Sequence, residues 1–321
     1  MRQTPTIPPA EITRQLALCD QIHALLDQTP GQKLAFVDTY GCQQNEADSE
    51  RLRGYLARMG YAFSDTEEGA DLVLVNTCAI REHAEHRVFG NVGALSHTKR
   101  RHPGQVICVC GCMARQEHVA QRLRQSFPYV DLVFGPQLLW QFPQLLLEKL
   151  TTGKRVFATQ DVPGAVAEGI PVVREKGVKA WVSIMYGCNN FCSYCIIPYA
   201  RGRVRSLSPQ DTRRELERLL EAGYREIVLT GIEISSWGQD LPGEQTLIDL
   251  LETVCRDLPG EVRIRLGSLE PRTITPDFCR RAAALPNLCP HFHLSMQSGC
   301  DTVLKRMNRK YDTARFSQSV E

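Results

Sequence analysis

Three thiols stand close together at Cys188, Cys192 and Cys195, inside the stretch Gly187-Cys188-Asn189-Asn190-Phe191-Cys192-Ser193-Tyr194-Cys195. The pattern is C-x3-C-x2-C, and it follows an apolar run, Trp181 to Met185, that reads as a strand. Three thiolates on one short loop can hold three corners of a cubic iron–sulfur cluster and leave the fourth iron without a protein ligand. Such an iron can bind a substrate or cofactor, whereas a cluster with four cysteine ligands mainly carries electrons. The alternatives are three unrelated thiols or a zinc knuckle within a nucleic-acid-binding module. Zinc sites usually use C-x2-C pairs and a fourth ligand at matching spacing, and no second pair follows here. The cluster is the favoured reading.

A second set of cysteines is spread along the first half of the chain. Leu34-Ala35-Phe36-Val37 runs into Thr39-Tyr40-Gly41-Cys42, Asp71-Leu72-Val73-Leu74-Val75 into Asn76-Thr77-Cys78, and Val106-Ile107-Cys108-Val109-Cys110 into Gly111-Cys112. Each apolar run reads as a strand, and Cys42, Cys78 and Cys112 lie just beyond three successive strand ends. In open parallel sheets that edge is where ligands bind, so three thiols would converge on one crevice. Cysteine is also a common small core residue, and Cys108 and Cys110 within the third strand fit that description. The choice of Cys112 over Cys110 rests on its position past the strand end.

The elements that must carry these thiols follow a βα rhythm. Residues 1–32 read as a polar lead-in with one helical run, Glu11 to Leu26. Residues 33–152 alternate continuous apolar runs with helical patterns, including Glu46 to Met59, Glu82 to Thr98 and Gln116 to Ser126. Continuous runs separated by helices signal a parallel sheet buried on both faces, so a doubly wound α/β domain is expected. Residues 153–179 carry Pro and Gly without clear period and read as a linker. From 180 to 321 the rhythm resumes, with strands expected at 182–186, 226–231, 262–267 and 291–295. Repeated right-handed βα units give a barrel or part-barrel with its active site at the C-terminal mouth, where the triple-cysteine loop would sit. Four strands do not close such a barrel, so a C-terminally incomplete part-barrel is expected.

The totals narrow the setting. The 321 residues carry a net charge of +2, 43% apolar and 23% charged residues, ordinary values for a globular protein. Any nucleic-acid surface must therefore be a local patch. Thirteen cysteines, an odd number, and an N-terminus without an apolar signal segment argue against a disulfide framework. No run approaches the ~18 apolar residues of a membrane span. A cytoplasmic protein with no membrane partner is expected.

Other residues take candidate roles around the loop. An open cluster iron can chelate the amino and carboxylate groups of S-adenosylmethionine, and an electron passed to the sulfonium then yields methionine and a 5′-deoxyadenosyl radical. Tyr194 and Phe191 could pack on the cluster or the adenine, or serve as plain core. Glu233 and Ser235 follow the second barrel strand and are candidates for the methionine part of the cofactor. Arg201, Arg203 and Arg205 alternate on a segment that reads as extended, which would turn all three to one side and let them grip phosphates or a carboxylate. Lys99-Arg100-Arg101-His102 and Lys305-Arg306-Met307-Asn308-Arg309-Lys310 are further basic patches that would suit an RNA loop. His83, His86, His97 and His118 read as helix-surface residues rather than ligands.

These motifs together resemble the tRNA methylthiotransferase family of the radical S-adenosylmethionine superfamily. The resemblance is carried by Thr39-Tyr40-Gly41-Cys42-Gln43-Gln44-Asn45, Asn76-Thr77-Cys78-Ala79-Ile80-Arg81, Cys110-Gly111-Cys112-Met113, Tyr186 to Tyr199 and Gln297-Ser298-Gly299. It implies an auxiliary 4Fe–4S cluster on Cys42, Cys78 and Cys112 and a radical-generating one on Cys188, Cys192 and Cys195. It implies two uses of S-adenosylmethionine: one molecule methylates a sulfur at the auxiliary cluster, and the other yields the radical that takes hydrogen from C2 of a modified adenosine beside the anticodon. The implied partner is a tRNA anticodon stem-loop, for whose phosphates Arg201, Arg203 and Arg205 are the candidate contacts; an electron donor such as flavodoxin or ferredoxin and a monomer are expected. From Thr39 to about Arg203 the chain is similar to the enzymes acting on isopentenyladenosine. Leu229 to Gly238 and Ser268-Leu269-Glu270-Pro271 are instead similar to those acting on threonylcarbamoyladenosine. The isopentenyladenosine enzymes usually carry Gly-Gln-Asn at 231–233 and Ser-His-Pro in place of 268–271. The expected reaction is methylthiolation of isopentenyladenosine; the alternatives are the same reaction on threonylcarbamoyladenosine, or an inactive cluster-binding fragment or chimera.

Overall fold

The computed structural model describes residues 6–79, 82–160, 162, 164–174 and 177–321, with the side chains of 82–86 also outside the description. The chain divides into two compact units that part between Arg174 and Glu175.

The first unit holds six parallel strands: β1 (Leu34–Thr39), β2 (Ala62–Phe63), β3 (Leu72–Thr77), β4 (Val106–Gly111), β5 (Leu132–Phe134) and β6 (Val156–Ala158), in the order β2-β1-β3-β4-β5-β6. Every residue of β3 and β4 is buried, which is why those runs show no polar alternation. Side chains nevertheless alternate between two cores. Leu72, Leu74, Cys108, Cys110, Leu132 and Phe134 face the core of α1 (Pro9–Leu26), α2 (Gln43–Arg58) and α5 (Phe142–Thr152). Val73, Val75, Ile107, Val109 and Val133 face that of α3 (Glu82–Arg101) and α4 (Glu117–Ser126). The doubly wound expectation holds.

Two boundary expectations need correction. The stretch 1–32 is not a separate lead-in, because α1 buries Ile12, Gln15, Cys19 and Ile22 along one face against the sheet's helices. Gln15 Oε1 accepts from the Gln144 amide at 3.1 Å, and Arg58 clamps Asp20 at 2.9 Å. Residues 153–174 are not linker. They contain β6, three residues long and therefore too short to show a period, and then a strap whose Val173 amide donates to the Glu50 carbonyl at 3.0 Å. The Arg174–Glu50 ion pair, at 3.1 Å, fixes the strap's end.

Cys19 shows what burial here does to a thiol. It is fully buried, and burial pushes its pKa from the ordinary 9.0 up to about 12. The folded state thus keeps a proton that the unfolded chain releases near pH 9, so this contribution to stability is complete below pH 9 and is lost as pH rises through 12. Denaturant titrations should show stability falling between those values, and Cys19→Ala should make the fall shallower despite a lower baseline.

The second unit carries β7 (Lys179–Tyr186), β8 (Arg205–Ser206), β9 (Glu226–Gly231) and β10 (Arg263–Leu266) in the order β10-β9-β7-β8. The first three strands are parallel, and β8 is an antiparallel edge. Helices α6 (Ile197–Ala200), α7 (Pro209–Glu221), α8 (Leu247–Cys255), α9 (Pro276–Ala283), α10 (Asp301–Arg306) and α11 (Thr313–Val320) follow in sequence. α7 starts on a clear signal: Ser208 Oγ accepts from the Asp211 amide at 3.1 Å, and Pro209 fills the first turn. Its Leu216 and Leu219 pack with Ile184, Leu229, Ile264 and Leu250 in one core. The open sheet is the part-barrel expected, with one difference. His291 to Ser295 is not a strand; a single parallel bridge joins Leu269 to Leu294. His291, Phe292 and His293 are exposed, so the segment has no continuous buried face to extend the ladder.

Candidate functional site

The loop Gly187–Cys195 leaves the C-terminal end of β7. Gly187 has φ +71°, and a side chain there would meet the Arg203 carbonyl at 1.9 Å, so only glycine lets the two backbones close up. The Cys188 amide donates to the Gly202 carbonyl at 3.1 Å and the Val204 amide to Asn189 Oδ1 at 3.3 Å, lacing the loop to the chain that follows it. Within the loop, the Cys195 amide donates to the Cys192 carbonyl at 2.9 Å. Phe191 sits at φ +48°, rare for a bulky residue. Its carbonyl accepts from Asn308 Nδ2 at 2.8 Å, and its ring lies under the Arg203 guanidinium at 4.3 Å and beside Tyr199 at 5.7 Å. Ser193 binds the carbonyls of Met307 and Arg306 at 3.1 and 2.8 Å.

Cys188 and Cys192 are buried and Cys195 is half-buried. Burial pushes the Cys188 thiol up to about 11, with Glu233, Cys195 and Cys192 raising it further by their charge. Burial likewise raises Cys195, and Cys192 adds to it. Burial raises core thiols such as Cys19 in the same way, so the ligand character of this loop rests on its C-x3-C-x2-C spacing. Among the described residues, no three Cys, His, Asp or Glu side chains are drawn together closely enough to form a finished metal cage.

Tyr194 is half-exposed at 54%, and its hydroxyl donates to Gln297 Oε1 at 3.2 Å, so it is not core. Glu233 accepts from the Ser235 amide at 3.1 Å and from Ser236 Oγ, and burial, followed by the nearby Glu270 charge, holds its carboxyl above the usual range. Ser235 Oγ accepts from the Glu270 amide at 2.8 Å, tying the turns after β9 and β10 together. Glu233 therefore sits beside the cysteine loop, and Ser235 braces the neighbouring turn.

The three arginines do not form one exposed face. Arg201 belongs to the turn after α6, not to an extended segment, and is 3% exposed. Arg205 is also buried, and it donates to the Arg201 and Arg203 carbonyls at 3.0 and 3.2 Å. Arg203 alone is exposed. The segment wraps around Gly187 and so cannot stay extended long enough for the alternation to apply. Lys99 of the first basic patch pairs with Asp131 at 2.9 Å, Arg101 pairs with Glu68 at 3.0 Å, and His97 and His118 are exposed. His83 and His86 have side chains outside the described residues.

In the first unit, Cys78 and Cys112 follow β3 and β4 directly, and Cys42 lies three residues past the end of β1. Gly111 has φ +94°, and its approach to β3 lets the Cys112 amide donate to the Thr77 carbonyl at 2.9 Å. Asn45, in the first turn of α2, donates through Nδ2 to Asn76 Oδ1 at 3.2 Å and to the same Thr77 carbonyl at 2.9 Å. Asn76 Nδ2 donates to the Asn45 carbonyl and to Ser49 Oγ, each at 2.9 Å, and Cys42 Sγ donates to Asn45 Oδ1 at 3.4 Å. This buried polar knot locks the turn of Cys42 to β3, the strand that ends just before Cys78. Cys110 instead points into the apolar core of α1, α2 and α5. Sequence reasoning assigned Asn45 and Asn76 no role; the available signal was polar residues next to continuous apolar runs. Asn45→Ala would leave Asn76 Oδ1 one donor short and take one from the Thr77 carbonyl, so a loss of about 2 kcal/mol in the first unit's stability is expected by chemical denaturation.

Comparisons with known proteins agree with this anatomy. Residues 34–135 match the Uncharacterized protein family UPF0004, and residues 182–321 match the Radical SAM superfamily. The chain is 41% identical over 324 residues to the tRNA-2-methylthio-N(6)-dimethylallyladenosine synthase of Clostridioides difficile strain 630, covering 100% of this chain and 68% of that protein. This chain belongs to the radical S-adenosylmethionine tRNA methylthiotransferases. Like-named relatives from Caldicellulosiruptor saccharolyticus and Acetivibrio thermocellus are 44% and 41% identical, over 90% and 95% of this chain and 61% and 64% of theirs. The chain thus spans somewhat under two thirds of their length. A solved radical S-adenosylmethionine methyltransferase from Kitasatospora setae shares the fold at a TM-score of 0.61 and 15% identity, over 90% of this chain and 65% of that one. Membership of the superfamily brings an iron–sulfur cluster and S-adenosylmethionine to the enzyme. No helix among the described residues is long and apolar enough to cross a membrane.

Proposed function

We propose that the chain inserts a 2-methylthio group at C2 of isopentenyladenosine beside a tRNA anticodon. The observation that carries this reading is one cysteine triad at the strand ends of each unit, in a chain over 40% identical to proteins named for that product. Cys188, Cys192 and Cys195 would hold one 4Fe–4S cluster, and Cys42, Cys78 and Cys112 a second. When bound, these groups supply one-electron cleavage of S-adenosylmethionine and a place for the transferred sulfur.

The chain's own residues bind and orient. Tyr194 is the half-exposed ring of the loop, free to cover a ligand there while Gln297 holds its hydroxyl. Glu233, desolvated beside Cys188, is the group suited to an ammonium such as that of the methionine moiety, and Ser235 keeps its turn in place. Arg203 is the one exposed arginine of its segment and therefore its tRNA-phosphate candidate, while Arg201 and Arg205 shape the loop. A one-electron donor such as flavodoxin or ferredoxin, an anticodon stem-loop as substrate and a cytoplasmic setting follow from this reading. Both triads come from one chain, so a monomer suffices.

A second reading rests on a specific linkage through Ser235, whose amide donates to Glu233 at 3.1 Å and whose Oγ accepts from the Glu270 amide at 2.8 Å. Glu233 and Glu270, the departures from the isopentenyladenosine pattern in two separate motifs, lie within reach of each other's charge at neighbouring strand ends. They act as one local unit, which favours the threonylcarbamoyladenosine enzyme's pattern there. Mass analysis of tRNA nucleosides from a strain lacking its own methylthiolation enzymes and expressing this chain separates the two. The first reading predicts 2-methylthio-isopentenyladenosine; 2-methylthio-threonylcarbamoyladenosine alone would replace it with the second.

A further inference from the structure

The basic run Lys305–Lys310 reads from the sequence as a patch that would suit an RNA loop, yet one of its cations turns inward. Arg309 Nη1 donates to Cys192 Sγ at 3.2 Å. Its Nε donates to the Tyr311 hydroxyl at 3.2 Å, and its guanidinium lies over the Tyr311 ring at 4.9 Å. Tyr311 is 7% exposed, and its hydroxyl is fixed by the Ser295 carbonyl and, at 3.1 Å, by the Met296 carbonyl. The guanidinium is therefore held at two nitrogens and one face, a geometry that a mobile surface arginine does not have. The preceding residues secure the same approach, since Asn308 binds the Phe191 carbonyl at 2.8 Å and Ser193 binds the carbonyls of Met307 and Arg306.

We propose that Arg309 is a positioning residue that raises the reduction potential of the cluster held by Cys188, Cys192 and Cys195, with Tyr311 as its anchor. The inference rests on the cluster reading of that loop. A reduced cluster carries one more negative charge than the oxidised one. A fixed cation hydrogen-bonded to a ligand sulfur stabilises the reduced form more, and charge and hydrogen bonds to sulfur are the terms that set such potentials. Lys305, Arg306 and Lys310 are exposed, and Lys310 donates to Asn308 Oδ1 at 2.8 Å.

The test uses the full chain, reconstituted anaerobically with iron and sulfide and without S-adenosylmethionine. At a fixed ambient potential the reduced fraction of the second-unit cluster is read by electron paramagnetic resonance. Its signal is identified by its change when S-adenosylmethionine is then added. Arg309→Gln should keep its iron and show a roughly tenfold lower ratio of reduced to oxidised cluster, about the effect of one charge-assisted hydrogen bond. Arg309→Lys should recover part of the loss, and Tyr311→Phe should give an intermediate drop with the charge retained. An unchanged ratio in Arg309→Gln at full iron content overturns the proposal, and so does loss of the cluster in that variant, which would make the arginine structural. Full iron retention in Cys192→Ala brings down the cluster reading itself, and this proposal with it.

Discussion

Replacing Cys192 with alanine is expected to end reductive cleavage of S-adenosylmethionine, a fall of about a million-fold or more and in practice to background. The protein should stay folded. Cys192 sits in the loop beyond β7 rather than in the strand's own core, and removing one sulfur from such a site costs about 1 kcal/mol. The reason for so large a functional effect beside so small a structural one is that the cofactors carry the difficult step and the protein's part is to hold them. With two ligands left on the loop, the iron bound there should be lost while the first unit keeps its own. Iron per chain should therefore fall by about half, with circular dichroism unchanged and no 5′-deoxyadenosine formed on reduction. Substitution of Cys108 or Cys110, both packed in the first unit's core, should instead cost stability and leave cleavage intact.

Gly111→Ala is expected to destabilise the first unit strongly. The residue is at φ +94°, and the added carbon would lie 2.3 Å from the Thr77 carbonyl oxygen and 2.5 Å from Asn76 Oδ1. Neither neighbour can give way. The carbonyl belongs to β3 and accepts from the Cys112 amide, and Asn76 is the centre of the knot with Asn45 and Ser49. Left-handed strain and overpacking each cost about 1–3 kcal/mol, so a loss of about 4 kcal/mol is expected in chemical denaturation. Because the displaced backbone carries Cys112, iron bound by the first unit should fall as well, while the second unit still cleaves S-adenosylmethionine. A variant that lost stability yet kept all its iron would separate Gly111 from the positioning of Cys112.

How much of this was legible in the sequence depended on length and period. β3 and β4 are six-residue runs buried at every position, and such runs announce both a strand and a two-faced sheet. The strand-end positions of Cys78 and Cys112 followed from them, and that of Cys42 from the shorter run Leu34–Val37. β6 was hidden because three residues in a Pro- and Gly-bearing stretch carry no period, and β8 because two residues pair only where the chain happens to turn back on β7. The arginines at 201, 203 and 205 were misread because alternation orients side chains only in extended backbone, and a helical turn precedes β8. Arg309 was misread for a different reason. A run of cations reads as one surface, and only the fold reveals that a single member is turned to a sulfur across a separation of 117 residues. The Asn45–Asn76 knot is likewise a long-range pairing, 31 residues apart, that no local pattern encodes.

On the proposed function, each unit's cysteine triad holds its own cluster. Iron and acid-labile sulfide counted per chain after anaerobic reconstitution test it directly, with Mössbauer spectra to identify the cluster type. About eight irons and eight sulfides per chain, as two 4Fe–4S clusters, are expected, falling to about four of each when Cys42, Cys78 and Cys112 are all replaced by alanine. About four irons in the unaltered chain with no change in the triple variant, or zinc without sulfide, would contradict it.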